Sequence, residues 1–157
     1  MRGSNKVIEQ LNMALSSELT NLVQYMAQSE MQSNWGYTRL AEITKHRAIE
    51  EMKHAEGLIE RIIFLDATPV VSVGLKPRLG DKVQQQLEID LEDEVAAVRE
   101  YNDAAKICVA AADEASKELF KRMILDEERH ADYLESELSA IKDMGIANYL
   151  SQQLKGK

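Results

Sequence analysis

Apolar residues recur along this chain in alternating steps of four and three over four long stretches, the spacing that lines one face of a bundled helix. The first stripe is Leu11, Leu15, Leu22 and Tyr25; the second holds Leu40, Leu58 and Ile62. The third reads Leu87, Leu91, Val98, Tyr101, Ala105 and Cys108, and the fourth Phe120, Met123, Leu134 and Ile141. The pattern predicts helices over about residues 4–33, 38–65, 82–111 and 114–144, with a short fifth helix over 146–154. At about 1.5 Å per residue, the first two long helices each span roughly 40 Å. Asn34-Trp35-Gly36 and Ala111-Ala112-Asp113 read as turns, and Gly145 as a helix stop. Asp81 is the expected N-cap of the third helix, and Asp113 or Ser116 that of the fourth.

Residues 66–81 break the periodicity, with Pro69, Gly74, Pro77 and Gly80 around an extended-looking Val70-Val71-Ser72-Val73. A connection this long is unusual inside a compact domain. It suits a crossover that leaves the second and third helices parallel. The expected fold is all-α: a four-helix bundle with one long crossover and a short C-terminal fifth helix, a single domain over 1–157.

Each stripe is interrupted near its middle by a group that does not belong in an apolar interior: Glu18, then Glu51 and His54, then Glu94, then Glu127 and His130. A lone ionised carboxylate in apolar surroundings costs several kcal/mol, so buried acids are paired or bound to metal. The interruptions also repeat. Glu127-x-x-His130 follows Glu51-x-x-His54 by 76 positions, and Glu94 follows Glu18 by 76. Tyr25 and Tyr101 each lie 7 positions after their glutamate. The chain reads as one metal-binding half written twice.

Residues three apart share a helix face, so each Glu-x-x-His aims a carboxylate and an imidazole at one place. Four carboxylates and two imidazoles suit a pair of first-row metal ions, iron or manganese before others. The set resembles the ligand constellation of di-iron carboxylate bundles. In the symmetric arrangement, Glu51 and Glu127 bridge two metals, Glu18 and Glu94 bind terminally, and each histidine completes one set. Tyr25 and Tyr101 read as hydroxyl donors to ligand carboxylates, against the plainer reading of core aromatics. His46 stands outside both motifs. It is a solvated surface histidine or, with Glu50 and Asp126, an accessory iron site.

Composition narrows the picture further. A net charge of −8 argues against a nucleic-acid partner. Cys108 alone builds neither an intrachain disulfide nor a cysteine-rich zinc site, and among Ile107, Val109 and alanines it reads as a small buried residue. No stretch reaches the roughly 18 apolar residues of a membrane span, and the expected address is a reducing cytoplasm. Helices one and two carry second apolar rows: Leu19, Val23 and Met26 with Glu30, and Ile49, Met52, Ile59 and Ile63. Such rows are usually buried against another subunit. Taken alone, Met52 is an interface or core residue.

The motifs together resemble the bacterioferritins over essentially the whole chain. They are the opening Met-Arg-Gly-Ser-Asn-Lys-Val-Ile, Asn34-Trp35-Gly36, Glu50-Glu51-Met52-Lys53-His54-Ala55, Glu60-Arg61-Ile62-Ile63-Phe64-Leu65, Asp126-Glu127-Glu128-x-His130 and Gly145-x-x-Asn148-Tyr149-Leu150. The resemblance implies a ferritin-like cage of twenty-four subunits built from twofold dimers, storing iron as a ferric mineral. It implies a ferroxidase centre of Glu18, Glu51, His54, Glu94, Glu127 and His130, oxidising Fe(II) with O2 or H2O2. It also implies a haem b on the twofold axis, held by Met52 from each of two subunits and passing electrons from a ferredoxin-type reductant to release iron. The chain departs from the family pattern at Glu50, usually Asp, at Arg47, commonly Glu, and through the crossover Asp66-Ala67-Thr68-Pro69-Val70-Val71.

Two other readings compete. A di-iron peroxidase or oxidase of the rubrerythrin type would normally carry a Cys-x-x-Cys module, which one cysteine cannot supply. A haem-binding electron-transfer assembly would leave the doubled ligand set unexplained.

Overall fold

A computed structural model describes residues 1–154, in which the helical periodicity is realised as five helices: α1 (Asn5–Asn34), α2 (Thr38–Phe64), α3 (Val83–Ala110), α4 (Glu114–Met144) and α5 (Ile146–Ser151). The predicted boundaries hold to within a residue or so, except that α5 stops at Ser151 instead of reaching Leu154.

Three helix ends share one termination. After α1, α2 and α3 the chain turns through Gly36 (φ 90°), Asp66 (φ 60°) and Ala112 (φ 55°). The next N–H then reaches back five residues, Tyr37 to Gln32, Ala67 to Ile62 and Asp113 to Cys108. This is the left-handed closure that satisfies orphan carbonyls at a helix terminus. Asp113 caps α4, its carboxylate accepting from the Ser116 N–H at 2.9 Å. Asp81 does not cap α3. The N-cap is Lys82 with no side-chain bond, and Asp81 instead donates its own N–H to Gln85 Oε1 at 2.9 Å. The segment that delivers the chain to α3 is extended, which leaves the Asp81 carboxylate one residue too early.

α1 packs along α2, and α3 along α4, giving two hairpins. Bonds between α1 and α3 run from Ser17 to Glu100, from Glu18 to Tyr101, from Tyr25 to Glu94 and from Gln32 to Gln86. From Glu18–Tyr101 through Tyr25–Glu94 to Gln32–Gln86 one number rises as the other falls, so α1 and α3 are antiparallel. α2 is antiparallel to α1 as well, which makes α2 and α3 parallel and requires the long crossover. That crossover lies over α1: the Val70 N–H donates to Asn12 Oδ1 at 2.8 Å and the Arg78 N–H to Gln24 Oε1 at 2.9 Å. Arg78 then anchors on α3 through Glu92 at 3.0 Å and Asp93 at 2.6 Å.

The apolar core is divided. One cluster, including Val7, Leu11, Leu15, Leu58, Ile62 and Phe120, fills one end of the bundle. Leu40, Val83, Leu87, Leu134, Ile141 and Tyr149 fill the other. Between them lies a buried polar layer that the apolar stripes did not predict. Gln24, Gln28, Gln32, Thr44, Arg47, Gln86 and Asp90 are all inside, whereas Leu22, Leu91, Val98 and Ala105 are only half-buried. Here the faces of α1 and α3 are turned so that polar side chains meet across the interior.

Candidate metal centre

The six predicted ligands meet at mid-bundle, between the two core clusters. Glu18 comes from α1, Glu51 and His54 from α2, Glu94 from α3, and Glu127 and His130 from α4. All four glutamates are fully buried. Their donor atoms form two overlapping quartets, Glu18–Glu51–His54–Glu127 and Glu51–Glu94–Glu127–His130, each with ligand atoms within 4.8 Å of one another. Glu51 and Glu127 belong to both. His54 Nδ1 lies 3.4 Å from Glu18 Oε2 and 3.2 Å from Glu127 Oε1. His130 Nδ1 lies 3.4 Å from both Glu51 Oε1 and Glu94 Oε1.

The atoms facing this point lack hydrogen bonds. Both carboxylate oxygens of Glu51 and of Glu127, Oε2 of Glu18 and of Glu94, and Nδ1 of both histidines are buried without a hydrogen-bond partner, facing only one another. Buried polar atoms are nearly always satisfied, so eight orphans converging on one spot describe a place shaped for cations. The donor set, all oxygen and imidazole nitrogen, fits hard to borderline divalent ions.

Each outward-facing atom, by contrast, is held. The Tyr101 hydroxyl on α3 donates to Glu18 Oε1 on α1 at 2.6 Å, and the Tyr25 hydroxyl on α1 donates to Glu94 on α3. His54 Nε2 meets Asp126 Oδ2 at 2.8 Å, and His130 Nε2 meets Glu50 Oε2 at 2.6 Å. Both pairs are exchanged by the 76-residue repeat: Tyr25 maps to Tyr101, Glu18 to Glu94, His54 to His130 and Glu50 to Asp126. The repeat is therefore a twofold relation in space as well as in sequence.

Electrostatics follow from crowding acids in a dry interior. Burial, then the Glu18 and Glu127 charges, push the Glu51 carboxyl well above its ordinary range. Glu94 is pushed up to about 8 by burial and by Glu127. Burial works to lower His54, but the Glu127 and Glu18 carboxylates outweigh it and raise the imidazole to about 11. His130 is raised too, burial again being outweighed by Glu94. Without a cation, the raised values of Glu51, Glu94 and both histidines all favour proton uptake.

The remaining predicted residues fall elsewhere. His46, Glu50 and Asp126 do not form a ligand quartet of the kind seen at the centre. His46 Nε2 pairs with Glu50 Oε1 at 3.0 Å, and the Arg129 guanidinium spans Glu50 and Asp126. Met52 is 40% exposed on the outer face of α2, beside Ile49. Sequence reasoning missed Asp90 and the glutamines of α1. Arg47 Nη2 pairs with Asp90 Oδ2 at 3.1 Å, its guanidinium 4.5 Å over the Tyr25 ring. Gln24 Nε2 donates to Asp90 at 3.2 Å and to Asp93 at 2.8 Å. Their signal was positional: Gln24, Gln28 and Gln32 recur at steps of four, and Asp90 stands four residues before Glu94.

Comparison with known proteins agrees with this architecture. The family model of the ferritin-like domain matches residues 8–144. The chain is 41% identical to the bacterioferritin of Brucella melitensis over 149 residues, 95% of this chain and 92% of that one. It is 39% identical to that of Rhodobacter capsulatus over 145 residues, 92% and 90% of the two chains. The bacterioferritin of Mycolicibacterium paratuberculosis is 38% identical over 152 residues, covering 97% and 96%. By fold, by coverage and by these identities, the chain belongs to the bacterioferritin family of ferritin-like proteins.

Proposed function

We propose that this protein stores iron, oxidising ferrous ions at the mid-bundle centre and depositing the ferric product inside a cage of identical subunits. The observation that carries the reading is the pair of overlapping quartets with their eight buried atoms that lack a hydrogen bond. Glu51 and Glu127, common to both quartets, would bridge two ions; Glu18 with His54 and Glu94 with His130 would complete one position each. Four carboxylates against two divalent ions balance charge, which makes so acidic a cluster tolerable in a bundle interior.

Iron enters as substrate. Two ferrous ions surrender one electron each, and dioxygen takes the pair with two protons to become hydrogen peroxide; peroxide itself, taking two electrons and two protons, would end as water. The protein's part is to hold both ions, to keep Tyr25 and Tyr101 hydrogen-bonded to the terminal glutamates, and to fix each imidazole through Asp126 or Glu50. Binding displaces the protons that the cluster otherwise takes up.

The family also implies haem. Met52 would hold the haem iron through its soft thioether: the residue is exposed on a face shared with Ile49, and Val23 and Met26 of α1 are also exposed apolar side chains. A second subunit covering that face would supply the other methionine across a twofold axis. A haem bound there supplies an electron-transfer centre. A cytoplasmic setting and a ferredoxin-type reductant complete the reading; no described helix is long and apolar enough to cross a membrane.

The test is aerobic addition of ferrous iron to metal-free protein, following ferric absorbance. Glu18→Ala and Glu127→Ala should each slow oxidation severely. Unchanged rates in both would remove the catalytic assignment, and a dimer instead of a large shell on size-exclusion would remove storage.

A further inference from the structure

Glu50 and Asp126 stand directly behind the two histidines, one for each metal position, with His130 Nε2 2.6 Å from Glu50 Oε2 and His54 Nε2 2.8 Å from Asp126 Oδ2. A single nitrogen, Arg129 Nη2, donates to both acids at once, 2.9 Å to Glu50 Oε2 and 3.1 Å to Asp126 Oδ1. The 76-residue repeat exchanges Glu50 with Asp126 but sends Arg129 to Lys53, which makes no ion pair among the described residues. One cation thus serves both halves of a nearly symmetric site, where the acids approach each other on the α2/α4 face. His46 closes the same cluster from the other oxygen of Glu50, at 3.0 Å.

We infer that Arg129 is the resident cation of this face, taking the place that a third metal ion would otherwise fill between Glu50, Asp126 and His46. The inference rests on the di-metal reading and adds a stoichiometry to it: two ions per subunit and no more. Exposed ion pairs are individually weak, and the Arg129 side chain is 59% exposed. The guanidinium is nonetheless tethered three residues from Asp126 on the same helix, so it competes as an intramolecular ligand at high effective concentration. It also carries one fixed charge where an ion would exchange. The two carboxylates that orient the histidines are accordingly held whether or not iron reaches this face.

The experiment titrates metal-free protein with Co(II) under anaerobic conditions, counting bound ions by equilibrium dialysis and following the cobalt d–d absorption. The native protein should saturate at two ions per subunit, and Arg129→Lys should do the same. Arg129→Ala, and Arg129→Gln with bulk kept and charge removed, should each take up a third ion. Adding His46→Ala to Arg129→Ala should return the count to two. A native protein that binds three ions and falls to two with His46→Ala would overturn the inference. So would Arg129→Ala and Arg129→Gln both remaining at two. A native count below two would instead sink the di-metal reading itself, which keeps the two failures apart.

Discussion

The Tyr101 hydroxyl reaches across from α3 to donate to Glu18 of α1 at 2.6 Å, and this bond leaves the other Glu18 oxygen facing the mid-bundle cluster of acids and imidazoles. Removing the hydroxyl leaves a buried carboxylate oxygen without a donor and frees the side chain to rotate. Partners behind metal ligands typically matter by about 10–100-fold in affinity. Tyr101→Phe should therefore weaken Co(II) binding at one of the two positions within that range, and Tyr25→Phe, through Glu94, at the other. Affinity unchanged in both variants would reduce the tyrosines to core aromatics.

Stability of the metal-free protein should fall as pH rises. Glu94, ordinarily at 4.5, is held at about 8 in the folded chain by burial and Glu127. The native state therefore binds a proton that the unfolded chain has released, so this group's contribution is full below about pH 4.5 and lost as pH passes 8. His54, raised to about 11, acts in the same direction over its own window above 6.5. Every tenfold difference in proton affinity between the folded and unfolded chain is worth roughly 1.4 kcal/mol. Calorimetry between pH 5 and 8 should show the metal-free Tm declining and the loaded Tm holding or rising; a metal-free Tm that climbs through this range would contradict the assignment.

The buried Arg47–Asp90 pair has no equivalent in the other half of the repeat, where the corresponding residues are Met123 and Ala14, both buried. Losing one member strands the other's charge. Arg47→Met or Asp90→Ala alone should cost about 3–5 kcal/mol in urea unfolding of the metal-free protein. The double variant, which copies the apolar half, should recover most of that loss. If the two single effects simply add, the pair is not acting as a unit.

Haem binding gives a separate readout on the outer face of α2. Met52→Leu keeps the apolar volume and removes the sulfur, so reconstitution with haem should lose or shift the Soret band while ferrous oxidation at the buried centre continues. An unaltered spectrum would reject Met52 as a ligand.

Much of this was legible in the chain because the interior is periodic and the ligands repeat. Glu18 and Glu94 stood out as acids inside apolar stripes, and the shared offset of 76 tied them to the two Glu-x-x-His pairs before any geometry was known. The polar layer was not legible, because Gln24, Gln28 and Asp90 read as surface residues unless their buried partners are known. Arg47 stands out in the sequence only as a departure from the family pattern, and only the fold brings it to Asp90. Arg129 carried no signal beyond standing three residues after Asp126, a spacing that also describes many solvated pairs. Asp81 failed as a cap because capping depends on backbone angles that composition does not fix.

The quartets divide their donors unevenly: each takes three from one hairpin and borrows the fourth, Glu127 or Glu51, from the other. Neither hairpin alone can complete a coordination set, and a slip of one against the other empties both positions together. On the proposed reading, ion loading would act as a clasp across the seam between hairpins, locking their relative register at mid-length. Metal uptake should accordingly slow hydrogen exchange across that seam more than within either hairpin.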